Sequence, residues 1–130
     1  KDRLCALILE APFSDYRDIV REKLASSILT WPFQYPLSLL IDNTYSPLHF
    51  IGRVNPLPVL IIHGKDDRIV PMHHGLLLYK KAKSPKTFWA VRGPHAAYFS
   101  TMQGRQRLLG YLAQISKTCT SYGTHNVPKQ

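Results

Sequence analysis

The segment Pro58-Val59-Leu60-Ile61-Ile62-His63-Gly64-Lys65-Asp66-Asp67-Arg68-Ile69-Val70-Pro71 carries most of the structural information in this 130-residue chain. Val59 to Ile62 is a short, continuous, branched apolar run that opens after a proline and closes on His63-Gly64. A run of that length and type matches a strand buried on both faces, as in a parallel sheet. Gly64 permits a sharp turn, two aspartates follow, and a helix is predicted to begin near Met72 or His73. The order is strand, turn, acid, helix. Carboxylates just past the carboxyl end of a parallel strand sit where α/β proteins keep their chemistry.

Two further runs extend the same pattern. Leu4 to Leu9 (L-C-A-L-I-L) is predicted as an earlier buried parallel strand, and Lys86 to Val91 (K-T-F-W-A-V) as a later one. Ser14 or Asp15 can cap a helix predicted over Tyr16 to Leu29. Another helix is predicted over His73 to Ala82, and a closing helix over Ala97 to Ile115. The stretch from Thr30 to Pro58 is broken by five prolines and rich in Trp31, Phe33, Tyr35, Tyr45 and Phe50. A short helix is expected near Pro36 to Ile41 and another turn at Leu48 to Gly52; most of the aromatics are expected to cover the sheet, the alternative being a lid or part of a substrate pocket. The fold class is therefore α/β, with three parallel strands and flanking helices. Residues 1–115 read as one domain portion and 116–130 as a polar, mobile tail.

Composition bounds the function. Apolar residues are 45% and charged residues 19%, ordinary for a globular chain. No apolar run approaches the roughly 20 residues of a membrane span. Cys5 and Cys119 lie far apart without a metal-like spacing. Cys5 reads as a small buried hydrophobe, a disulfide is not expected, and that mildly favours a reducing, cytoplasmic compartment. The formal charge is +9, from 17 basic and 8 acidic residues. Only Lys80, Lys81, Lys83 and Lys86 cluster, at a predicted helix end where cations favour the dipole. No nucleic-acid-binding motif accompanies the charge. His73-His74 is a metal-like pair, but adjacent helical side chains diverge by about 100°. That argues against both ligating one ion, so no metal is expected.

The pattern H-G-x-x-D-x-x-V-P, here His63, Gly64, Asp67, Val70 and Pro71, resembles the segment that carries the triad acid in the α/β-hydrolase superfamily. Val91-Arg92-Gly93-Pro94-His95 is similar to that family's last strand, glycine turn and catalytic histidine. The loop Glu10-Ala11-Pro12-Phe13-Ser14-Asp15 is similar to the one after its nucleophile-bearing unit. The likeness covers about residues 3 to 115 and only the carboxyl-terminal part of the fold. Its nearest branches are the small-cap esterases, dienelactone hydrolases and prolyl-oligopeptidase-like enzymes. It implies a cofactor-free serine hydrolase of small acyl or peptide substrates, with Asp67 as triad acid and His95 as base. Asp66 competes for the acid role. The family spacing selects Asp67 and leaves Asp66 to cap the turn or face solvent.

A serine triad also needs a nucleophile elbow, G-x-S-x-G, ahead of the acid and histidine. None occurs here. Ser14 is nearest, but between Phe13 and Asp15 it lacks the flanking glycines. The resemblance thus implies a nucleophile and an oxyanion hole upstream of Lys1, and an isolated chain that is inactive. The alternative is a remnant or association module that keeps the fold without the nucleophile. In either case the outer edge of the first strand is expected to pair with a missing amino-terminal half or with a second copy.

Overall fold

The computed structural model describes residues 4–124. Three strands, β1 (Leu7–Glu10), β2 (Val59–Gly64) and β3 (Lys86–Val91), form one parallel sheet in the order β1-β2-β3. Leu7 aligns with Val59, and Val59 with Lys86, so the three strands run in step. Among the described residues five α-helices accompany them: α1 (Tyr16–Ala25), α2 (Gln34–Leu39), α3 (Pro47–Phe50), α4 (Met72–Lys81) and α5 (Met102–Thr124).

β2 is the centre of the molecule, and every one of its six residues is buried. Its side chains alternate between two apolar layers, as a pleated strand requires. Val59 and Ile61 join Ile51, Leu78 and Ala82 on one face, with Leu7, Leu9 and Phe88 packed against them. Leu60 and Ile62 join Val91 on the other, backed by Ile8, Trp89, Tyr98, Phe99, Leu108 and Tyr111. The sheet is thus sandwiched, with α4 on one side and α5 on the other. Each fully buried aliphatic side chain of β2 contributes about 1.5–3 kcal/mol relative to exposure.

Several boundaries differ from the sequence expectation. β1 begins at Leu7 rather than Leu4, because its partner strand begins only after Pro58. The Leu7 amide donates to the Pro58 carbonyl at 2.9 Å, and the chain before Pro58 turns away. α1 ends at Ala25 rather than Leu29. Ser26 Oγ donates back to the Lys23 carbonyl, which closes the last turn. Of the two cap candidates, Asp15 is the N-cap, accepting from the Arg17 and Asp18 amides. The closing helix is a 3₁₀ turn at Tyr98–Ser100 followed by α5. α5 runs on to Thr124, where a polar tail was expected from residue 116; residues 125–130 lie outside the described residues.

Two expectations are overturned. Cys5 is not a free buried hydrophobe: it is disulfide-bonded to Cys119, with their Cα atoms 5.4 Å apart. A disulfide gives no support to a reducing compartment. The aromatics of the proline-broken stretch also do not cover the sheet. Trp31, Phe33, Tyr35 and Tyr45 are all more than half exposed. The stretch is instead pinned to the start of α1, where the Asn43 and Ser46 side chains bond Asp15 and the Tyr16 amide. No helix among the described residues is long and apolar enough to cross a membrane.

Candidate active site

β2 and β3 end side by side, Gly64 level with Val91. The loop leaving β2 carries Asp67, and the loop leaving β3 carries His95. Their approach depends on Gly64. A Cβ there would stand 2.4 Å from the Gly93 carbonyl oxygen and 3.0 Å from that of Pro94, so only glycine lets the second loop lie across the end of β2. Gly93 itself sits at φ +129°, a region open to glycine. Ala96, directly after His95, is held at φ +48°, a left-handed conformation that is unfavourable for a residue with a Cβ.

The Asp67 side chain is fully buried. One carboxylate oxygen, Oδ1, accepts from the Ile69 and Val70 amides, each at 2.9 Å. The other, Oδ2, accepts from His95 Nδ1 at 2.8 Å. Burial raises the Asp67 pKa, but the bonds from Val70, His95 and Ile69 outweigh it and hold the carboxyl below its ordinary value. The anion therefore fixes the His95 tautomer with the proton on Nδ1, and Nε2 remains for proton transfer. The His95 side chain is 28% exposed, so the pair runs from a buried anion to an accessible imidazole. Asp66 is exposed.

His63 braces the same loop from beneath. Its Nε2 donates to the Val70 carbonyl at 2.8 Å and lies 3.6 Å from Asp67 Oδ2. Its Nδ1 is buried without a hydrogen-bond partner among the described residues. The ring is backed by Gly75 of α4, where a Cβ would meet Nδ1 at 2.5 Å. The sequence shows His63 only as a letter of the motif; its support of the acid loop comes from β2 and α4 together.

Ser14, the serine nearest in type to a nucleophile, is elsewhere. It is fully buried and its Oγ lies 2.7 Å from His74 Nδ1. His74 Nε2 in turn faces Glu22 Oε2 at 3.2 Å. This is a hydroxyl–imidazole–carboxylate chain, but its serine has no exposed surface for a substrate to reach. Among the described residues no hydrogen bond joins His95 to a serine, threonine or cysteine. The His73 and His74 side chains, expected to diverge, both reach Glu22.

No protein-family model matches the chain. The chain is 30% identical over 116 residues to "Uncharacterized protein YfhR" of Escherichia coli K12, an overlap covering 86% of this chain and 37% of that protein. It is 33% identical over 87 residues to the lysophosphatidylserine lipase ABHD12 of Rattus norvegicus, covering 64% of this chain and 22% of the lipase. The macaque lipase of the same name is 28% identical over 108 residues. The chain thus spans little more than a third of the length of the YfhR protein and about a quarter of the lipases. Three parallel strands between helices are an α/β architecture consistent with the carboxyl-terminal part of a hydrolase, and the distant, partial likeness to a lipase of the α/β-hydrolase superfamily points the same way.

Proposed function

We propose that this chain is the carboxyl-terminal part of a serine hydrolase acting on ester, thioester or amide bonds. In that reading Asp67 is the acid and His95 the base of a Ser-His-Asp triad. The nucleophile and the oxyanion hole come from sequence preceding Lys1, which pairs beside β1, and residues 1–115 are one portion of a single domain. The supporting observation is the 2.8 Å bond from His95 Nδ1 to a buried, doubly amide-bonded Asp67. It joins loops from two adjacent parallel strands and leaves Nε2 for a nucleophile's proton. The carboxylate orients the imidazole and stabilises the imidazolium that forms when the serine attacks. An ester is also the bond class in keeping with the lipase among the relatives.

The test is a chain that includes the preceding sequence. It should label with a serine-directed fluorophosphonate, while residues 1–130 alone should not. Asp67→Asn should lower kcat by about 10⁴-fold, as substitution of a triad acid does by misplacing the tautomer. Asp66→Asn should cost far less. A longer chain that neither labels nor turns over activated esters would instead favour a non-catalytic association module of the same fold. A larger loss in Asp66→Asn than in Asp67→Asn would overturn the choice of acid.

A further inference from the structure

Away from the Asp67–His95 pair, three metal-ligating side chains converge where α1 meets the first turn of α4. His73 Nε2 lies 2.8 Å from Glu22 Oε1, and His74 Nε2 lies 3.2 Å from Glu22 Oε2. The two imidazoles stack with centroids 4.4 Å apart and planes 28° from parallel. Stacking turns both Nε2 atoms to the same side, which overcomes the divergence of adjacent helical positions. All three ligand atoms lie within 4.8 Å of one another.

We propose that Glu22, His73 and His74 form a binding site for a divalent transition ion of the Zn²⁺ type. Two imidazole nitrogens and one carboxylate oxygen are a common donor set for Zn²⁺ with an open fourth position. Bond lengths of about 2.1 Å put tetrahedral ligand atoms roughly 3.4 Å apart, so the Glu22–histidine contacts of 2.8 and 3.2 Å would open slightly while the widest separation closes. His74 is fully buried and held from behind, whereas Glu22 and His73 are partly exposed, which gives an anchored ligand and an entry path.

The second layer of contacts fits the same role. Metal-bound histidines donate their other ring N–H to an acceptor. Ser14 Oγ, 2.7 Å from His74 Nδ1, is such an acceptor. The Ser14 amide, 3.2 Å from the same nitrogen, donates to it when the proton is on Nε2. A bound ion would require the His74 proton on Nδ1, with the Ser14 hydroxyl turned to receive it. The amino end of α4 disfavours a cation, and the Glu22 charge offsets it.

The experiment is a Zn²⁺ titration of the tag-free chain against a metallochromic competitor, with Co²⁺ as a visible-absorption probe of coordination. The expected result is one equivalent bound, and Co²⁺ bands of a four-coordinate nitrogen–oxygen site. Glu22→Gln and His73→Gln, both at partly exposed side chains, should each weaken Zn²⁺ by about tenfold or more, since even outer-layer changes cost 10–100-fold. His49→Gln, at an exposed histidine outside the cluster, should bind like the parent. Absence of one-equivalent binding, absence of the Co²⁺ bands, or affinity unchanged in both variants would overturn the site.

Discussion

Gly64→Ala tests the packing that brings Asp67 to His95. The added Cβ meets the Gly93 carbonyl oxygen at 2.4 Å, and that oxygen would have to retreat to at least 3.0 Å. The obstacle is backbone, with the Pro94 carbonyl behind it at 3.0 Å, so no side-chain rotation relieves it. The Lys65 amide, one residue on, donates to the Val91 carbonyl at 2.8 Å, which holds the two strand ends together while the Cβ forces them apart. Forced overpacking of this kind costs about 1–3 kcal/mol. For a chain of this size that lowers Tm by roughly 4–11 °C. The second readout is the His95 Nδ1–H proton, which a short bond to a carboxylate protects from exchange and shifts downfield in the NMR spectrum. Gly64→Ala should broaden or abolish it. Gly110→Ala is the matched control: its Cβ meets nothing within 4 Å and it sits inside α5, so it should stabilise by about 0.5–1 kcal/mol. An unchanged Tm together with an unchanged His95 signal in Gly64→Ala would refute the claim that this glycine sets the spacing of the two loops.

Asp67 also predicts an acid limb. Its carboxyl is held below the ordinary value in the folded chain, so the stability it contributes is complete above the unfolded pKa of about 3.9 and is lost as pH falls through the lower folded value. The stability gap between the parent and Asp67→Asn, measured by urea unfolding, should narrow from pH 6 to pH 2; a constant gap would contradict the assignment. Cys5→Ser should cost about 2–4 kcal/mol under oxidising conditions. Reductant should destabilise the parent to match it and leave the variant unmoved; equal effects of reductant on both chains would count against the bond.

The core and the site differ in how legible they were from residue order. β2 and β3 were readable because branched and aromatic runs bounded by prolines and a glycine have few alternatives. Lys86–Val91 begins and ends where the pattern does. That Asp67 and His95 belong together came from the resemblance of their two motifs to the α/β-hydrolase pattern, and the structure supplies the hydrogen bond between them. The Cys5–Cys119 bond was not readable, since the two thiols lie 114 positions apart in sequence and only the course of α5 back toward β1 brings them together. The exposure of Trp31, Phe33, Tyr35 and Tyr45 was hidden for a related reason. Apolar composition marks a preference for burial, and whether a short, proline-broken stretch finds a surface to lie on depends on elements distant in sequence. Glu22 carried no local signal, and its meeting with His73 and His74 arises only when α1 lies against α4.

The Cys5–Cys119 bond gives the chain a property of a ring. It joins a residue just before β1 to one far along α5, and nearly all the described structure lies inside the loop it closes. A protease that cuts once in the exposed stretch around Leu39-Leu40 would open a backbone bond without releasing a piece, because the two halves remain joined through sulfur. The nicked molecule would keep its mass, plus one water, until a thiol reductant parted it into two fragments. Such a nick, unlike a truncation, would leave β1 beside β2 and the Asp67–His95 bond undisturbed.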